Sequence, residues 1–305
     1  MKITFLGTGG GIPAKHRNVS SLALQLADKK GVVWLFDCGE ATQHQILHTS
    51  LKPGKINKIF ITHMHGDHIY GLPGLLGTRS FHGAETPLTV YGPAGIREFI
   101  EVSLRASSTN VRYPLEIKEI DSNGPIFEDS EYVVSSAKLN HGITSYGFRV
   151  AQKEQPGALL AEKLKSEGVP PGPLYKHLKK GMDVTLPDGR FIQGKDFLGP
   201  PKSGKTVTII GDTKFTEKCA ELAEKADILV HEATFKESEV KLAEEYFHST
   251  ALQAAETARA AGVKQLILNH ISSRYQGEAV DLMLEEAREV FPETFIAEDL
   301  YSFTV

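Results

Sequence analysis

The sequence predicts an α/β layered protein. Three observations carry that reading: short β-branched runs that stop at polar residues, helical stretches between them, and 41% hydrophobic residues across 305 positions. The last is enough for one large layered core or two smaller ones. In chain order, "KITFLGTGG" is a strand entering a glycine turn, "VVWLFDCGE" ends at Asp37 and Cys38, and "INKIFITH" ends at His63. A helix is expected over 93–105, and "EYVVSSAKLNH" is a strand ending at His141. "KTVTIIGDT" then leads to Asp212, a helix is expected over 216–226, "ADILVHEAT" reaches His231 and Glu232, and "KQLILNH" ends at His270. The clearest helix is "STALQAAETARAAG", 249–262, where Thr250 and Gln253 have capping-box spacing and Gly262 sits at the C-cap.

Composition narrows the function classes. Net charge is −4, which gives the molecule as a whole no attraction to nucleic acid, although charge can be unevenly spread. Two cysteines, Cys38 and Cys219, make no CxxC pair, so no disulfide framework is expected and a reducing compartment fits. The opening "MKITFLGTGGGIP" lacks the apolar run of a signal peptide, and no stretch approaches the ~20 apolar residues of a membrane span. The expectation is a soluble cytoplasmic protein.

Residues 151–205 stand apart. They hold 7 of the 15 prolines and 8 of the 28 glycines, with ten Lys/Arg against six Asp/Glu, a net of +4 inside a chain otherwise at −8. Centred on "EGVPPGPLYKHLKKG", this segment shows no strong core pattern of its own and reads as a flexible interaction arm inserted in a single 1–305 domain.

The chemistry concentrates in "ITHMHGDHIYG". His63 and His65, two residues apart, can face the same way, and Asp67 and His68 follow where the chain turns toward a helix containing "GLPGLLG". Neutral imidazole and carboxylate suit zinc. One turn cannot enclose two ions, so further donors are required. His141, Asp212 and His270, each at the C-terminal end of an expected strand, supply them if those ends converge. Burying that much polarity without a metal would leave unpaired groups at ~1–3 kcal/mol each.

"THMHGDH" resembles the HxHxDH motif of the metallo-β-lactamase superfamily. Asp37, His141, Asp212 and His270 follow in that family's order. The resemblance implies a four-layer αβ/βα sandwich with metals at one sheet edge. A narrower resemblance joins it: "PAKHRN" at 13–18 matches the PxKxRN loop of the tRNase Z (ribonuclease Z) family, "HEAT" at 231–234 and "HST" at 248–250 match two more of its motifs, and "GPLYKHLKKG" is similar to its arm tip. The length is similar to the short, homodimeric form.

From that resemblance follow two Zn²⁺ per subunit. His63, His65 and His141 would hold one, Asp67, His68 and His270 the other, and Asp212 would bridge. Such a pair, about 3.5–4 Å apart, clamps both sides of an in-line phosphoryl displacement and makes hydroxide available at neutral pH. The implied substrate is a tRNA precursor, cut to leave a tRNA 3′-hydroxyl and a 5′-phosphorylated trailer. Asp67 would orient or deprotonate the nucleophile, His248 would protonate the leaving oxygen, and Glu232 would hold His248 charged. Lys15, Arg17 and Asn18 of the PAKHRN loop, Arg274, and Lys176, Lys179 and Lys180 of the arm would contact the substrate. Arg274 is as well suited to a structural ion pair, and Leu174 and Tyr175 to holding the arm tip.

Three other readings come with the same fold family. A hydrolase of small esters or thioesters has the same ligands but no use for a basic arm. A non-catalytic RNA-binding relative would be expected to lack ligands, and this set is complete. His65, where a redox di-iron relative carries Glu, argues against that third class.

Overall fold

The computed structural model describes residues 1–26, 29 and 31–305. Two seven-stranded sheets frame it. In the first, neighbours run Ser302–Thr304, Lys2–Gly7, Ser21–Gln25, Val33–Phe36, Ile56–Phe60, Leu88–Pro93, Leu115–Ile120. In the second they run Thr294–Ile296, Gln265–Asn269, Ile228–Glu232, Thr206–Ile209, Tyr146–Gln152, Tyr132–Lys138, Gly124–Glu128. The strands Val33–Phe36, Ile56–Phe60, Leu88–Pro93 and Leu115–Ile120 pair in parallel, as do Thr206–Ile209, Ile228–Glu232, Gln265–Asn269 and Thr294–Ile296. Parallel strands are covered on both faces, which is why "VWLF" and "ILVHE" are buried at every position.

Aromatic side chains fill the space between the sheets. Phe36 stacks on Phe60 with centroids 5.0 Å apart, Phe60 on Tyr91 at 5.0 Å, and Phe148 of the second sheet lies 5.5 Å from Phe60. Helices close the outer faces. Leu72, Leu75, Leu76, Ile96 and Ile100 pack on Leu35, Ile59 and Val90 of the first sheet. Ala251, Ala254, Ala255, Ala258, Met283 and Ala287 pack on Leu229, Leu266 and Leu268 of the second. The helix Ala251–Ala261 carries both bonds of the expected capping box, and Gly262 takes the left-handed C-cap at φ 62°. Small alanines on its buried face let it lie close to the sheet. No helix among the described residues is long and apolar enough to cross a membrane.

The chain divides into two compact units: Met1–Phe127 with Val134–Val150 and Thr206–Val305, and Glu128–Val133 with Ala151–Lys205. The second corrects one expectation, because it does have a core. Leu164, Val169, Leu178, Leu186, Ile192 and Phe197 are buried together, on or just beyond the helices Ala161–Ser166 and Tyr175–Leu178, the ribbon Val184–Thr185/Phe191–Ile192 and the turn Gly194–Phe197. These six residues are spread over 34 positions among prolines and glycines, so no window shows a period. Leu174 and Tyr175 pack against this cluster, and the Tyr175 hydroxyl donates to the Val169 carbonyl at 2.7 Å. Lys176, Lys179 and Lys180 are exposed.

Candidate metal centre and catalytic residues

The C-terminal ends of strands supply much of the site, most of them parallel strands, as is usual for parallel sheets. Asp37 directly follows Val33–Phe36, and His63 lies three residues beyond Ile56–Phe60. Asp212 lies three beyond Thr206–Ile209, Glu232 ends its strand, and His270 directly follows Gln265–Asn269. His141 comes three residues after Tyr132–Lys138. Asp37, Phe247 and His270 hold left-handed backbone, at φ 56°, 60° and 57°. Strain of this kind in side-chain-bearing residues collects at functional sites.

His63, His65, Asp67, His68, His141, Asp212 and His270 converge. His63 Nε2 and His141 Nε2 lie 3.0 and 3.2 Å from His65 Nδ1. His68 Nε2 lies 3.3 Å from His270 Nε2, and both are 3.4 Å from Asp67 Oδ2. The Asp212 Oδ2 oxygen sits between the two groups, 3.6 Å from His63 Nε2, 3.5 Å from His68 Nε2 and 3.3 Å from His270 Nε2. Each trio His63/His65/His141, His63/His68/Asp212 and Asp67/His68/His270 has its donor atoms within 4.8 Å of one another, and so does Asp212/His248/His270.

Those side chains fit metal ions. The far nitrogens are occupied: His68 Nδ1 is 2.8 Å from Asp37 Oδ2, His63 Nδ1 is 3.0 Å from Thr62 Oγ1, His270 Nδ1 is 2.8 Å from Thr234 Oγ1, and His141 Nδ1 is 2.8 Å from the Phe247 carbonyl. Thr62 and Thr234 donate their own hydroxyl hydrogens to Asp37 and Glu232, so the network makes each Nδ1 the protonated nitrogen. For the neutral His63 this turns the Nε2 lone pair into the site, where a cation would bind it. His68, held charged against burial by Asp212 and Asp37, carries a proton there that a bound cation would replace. Tetrahedral zinc with bonds near 2.0–2.1 Å sets its donor atoms about 3.3 Å apart, which is the spacing found.

Electrostatics agree. Burial opposes the charge on Asp212, but His270, His68 and His63 outweigh it and hold the carboxyl well below the ordinary range. Asp67 is likewise held low, against burial, by its bonds to His270 and His68. Burial, and then its neighbour His68, push His63 well below the ordinary imidazole value, leaving it neutral. The close approach needs glycine: a Cβ at Gly10 would lie 2.7 Å from the His270 ring, and the next residue's N–H, Gly11, donates to Asp67 Oδ2 at 2.9 Å.

Glu232 is fully buried rather than a solvated acid. Its Oε1 accepts from Thr213 N, Ser249 N and His248 Nδ1, each at 3.0 Å, and Oε2 from Thr234 N and Oγ1 at 3.1 and 2.8 Å. One carboxylate therefore ties together the loops that carry Asp212 and His248 and, through the Thr234 hydroxyl, the His270 side chain. Burial disfavours charge on His248, yet Glu232 and then Asp212 outweigh it and push its imidazolium up to about 9.

Two of the expected substrate-contacting residues make internal hydrogen bonds. Arg17 is turned inward: its Nη1 donates to Thr8 Oγ1 at 2.7 Å and to the Ala297 carbonyl at 2.5 Å. The Asn18 side chain donates to the Glu40 carbonyl at 2.7 Å. Lys15 stays exposed. Arg274 is half exposed, with Nη1 3.5 Å from Glu239 Oε1.

The reading from sequence missed Thr62, Thr234, the Phe247 carbonyl and Asp299. Thr62 directly precedes candidate ligand His63 and Thr234 closes the HEAT motif two residues after Glu232, which was a usable signal. Asp299 had none. It accepts from Thr8 Oγ1, Asn18 N and Gln45 Nε2 at 2.7, 2.7 and 3.0 Å, and so fixes the PAKHRN loop from the far end of the chain.

The family model described as anti-Pycsar protein Apyc1 matches residues 1–148. Ribonuclease Z of Anoxybacillus flavithermus is 57% identical over 305 residues, covering 100% of this chain and 97% of the relative. Ribonuclease Z of Geobacillus kaustophilus is 58% identical, covering 100% and 99%. The chain belongs to the ribonuclease Z family. Human tRNase Z, short form (ELAC1), superposes with a TM-score of 0.74 at 30% identity over 100% of this chain and 99% of its own. The metallo-β-lactamase fold protein YhfI from Bacillus subtilis gives 0.68 at 21% identity over 99% and 98%. The expected metallo-β-lactamase sandwich, with two sheets between helical layers, is the fold of this ribonuclease Z family member, and its histidine–aspartate clusters mark a metal-binding site.

Proposed function

We propose that this protein is a zinc-dependent endoribonuclease that removes the 3′ trailer from tRNA precursors, acting as a cytoplasmic homodimer with two zinc ions per subunit. The observation that carries the reading is the convergence of seven donor side chains, four of the five histidines with their outer nitrogens pinned, in a chain whose relatives are ribonuclease Z. His63, His65 and His141 would hold one ion, Asp67, His68 and His270 the other, with Asp212 shared. Bound zinc would supply Lewis acidity toward the phosphate and acidify water to a pKa of about 7.

The chain's own groups do the rest. Asp67, fixed by the Gly11 N–H, orients the attacking water and takes its proton. The water oxygen bonds to phosphorus as the bond to the ribose 3′ oxygen breaks. His248, charged and aimed by Glu232, gives that oxygen its proton, leaving a 3′-hydroxyl on the tRNA and a 5′-phosphate on the trailer. Lys176, Lys179 and Lys180 of the second unit, with Lys15 and Arg274, offer cations to the phosphate backbone without reading bases.

A 3′-extended tRNA transcript tests this. Wild type should yield the two ends named, Asp67→Ala should yield none, and His248→Ala should cut far more slowly while still binding. Cleavage of small esters without cleavage or retention of the transcript would overturn the reading in favour of a small-molecule hydrolase.

A further inference from the structure

Three loops that carry site residues also present apolar side chains to solvent. Ile143 stands two residues after His141, Phe215 three after Asp212, and Phe247 one before His248. Phe247 is the informative one. Its backbone is left-handed, at φ 60°, which is unfavourable for a bulky side chain and which glycine would adopt freely. What the backbone contributes there, the carbonyl that fixes His141 Nδ1, glycine would contribute as well. Nor does the ring repay its strain by filling the core, since the residue is 37% exposed. Its partner is a cation from another of the three loops: Lys214 Nζ lies 4.2 Å from the ring centroid. Lys214 is in turn anchored beside His141, its N–H donating to the Asn140 carbonyl at 2.8 Å. A ring held in a costly conformation beside the reacting groups, with an ammonium against it, has the make-up of a single-strand nucleic-acid platform: an aromatic face for a base and a charge for its phosphate.

We propose that Phe247, flanked by Lys214, stacks on the base of a nucleotide adjoining the cut bond and so positions the scissile phosphate over the site. This deepens the proposed function and rests on it. It assigns a base-contacting subsite within the main unit, separate from backbone contacts elsewhere.

The test is a coupling cycle between enzyme and substrate. Precursor transcripts carry an abasic residue either at the last tRNA nucleotide or at the first trailer nucleotide. Each is cut by wild type, by Phe247→Gly, which suits the backbone and keeps the carbonyl, and by Phe247→Leu, which keeps bulk if glycine loosens the loop. With wild type, one abasic position should lower kcat/KM by roughly 5- to 150-fold, the range of a base–aromatic stack. Both variants should lose a similar factor on the intact transcript and lose little more on that abasic one. If the losses multiply at both positions, the ring acts only through structure and the subsite is overturned, while cleavage by wild type stands. If wild type does not cut the intact transcript at all, the proposed function falls and the subsite falls with it.

Discussion

Glu232→Gln separates charge from shape at the centre of the proposed proton donor. The amide keeps the volume but not the negative charge 3.0 Å from His248 Nδ1. Burial opposes charge on His248, and that carboxylate is the strongest influence raising it, ahead of the weaker pull of Asp212 and against the opposition of His68. With His248 at about 9, roughly nine-tenths of it is charged at pH 8; returned to the ordinary 6.5, only about 3% is, a fall of about 30-fold in the active form. The sign follows from the raised value: donor activity is present at low pH and is lost as pH rises through the folded pKa. Bound dications lower both enzymes' values together, so the tested quantity is the separation between them. Single-turnover cleavage of a 3′-extended tRNA, followed from pH 5.5 to 9.5, should show the variant's alkaline limb about two units below that of wild type, with the two rates approaching each other at the acid end. An unmoved limb, or equal slowing at every pH, would refute the assignment of Glu232 as the group that keeps His248 charged.

Arg17→Ala should act on stability rather than on RNA contacts. Leaving Thr8 and Ala297 without their donor costs about 1–3 kcal/mol, visible in a denaturant melt, while the salt dependence of tRNA binding stays as it was. A lost phosphate contact would instead lower that slope by about one. Changing Lys176, Lys179 and Lys180 together to Ala should lower the slope by about three, read from binding titrations over a range of salt. Chelation should abolish cleavage and lower Tm, because a cation that binds only the folded chain adds its binding free energy to stability, and added zinc should restore both. An unchanged melt after exhaustive chelation would contradict the fit of the donor set.

How much of this was legible beforehand depends on where the information lies. The clustering of donors was legible because short β-branched runs ending in His or Asp announce themselves locally, and because HxHxDH crowds donors that a core would not accept. The capping box of residues 250–262 was legible for the same local reason. The internal partners of Arg17 were not legible, because a basic residue in a glycine-flanked loop has no local sign of which way it points; its acceptors, Thr8 and Ala297, are set by packing. Asp299, with partners at residues 8, 18 and 45, could not be found without the fold. The core of the second unit was hidden by spacing, with six buried residues scattered between turns.

The most direct measurement is anomalous scattering at the zinc edge from crystals of the protein as purified. Two peaks per chain are predicted, one touching His63, His65 and His141, the other touching Asp67, His68 and His270, with Asp212 reaching both. A single peak elsewhere, or none in protein that still cuts tRNA, would contradict the account.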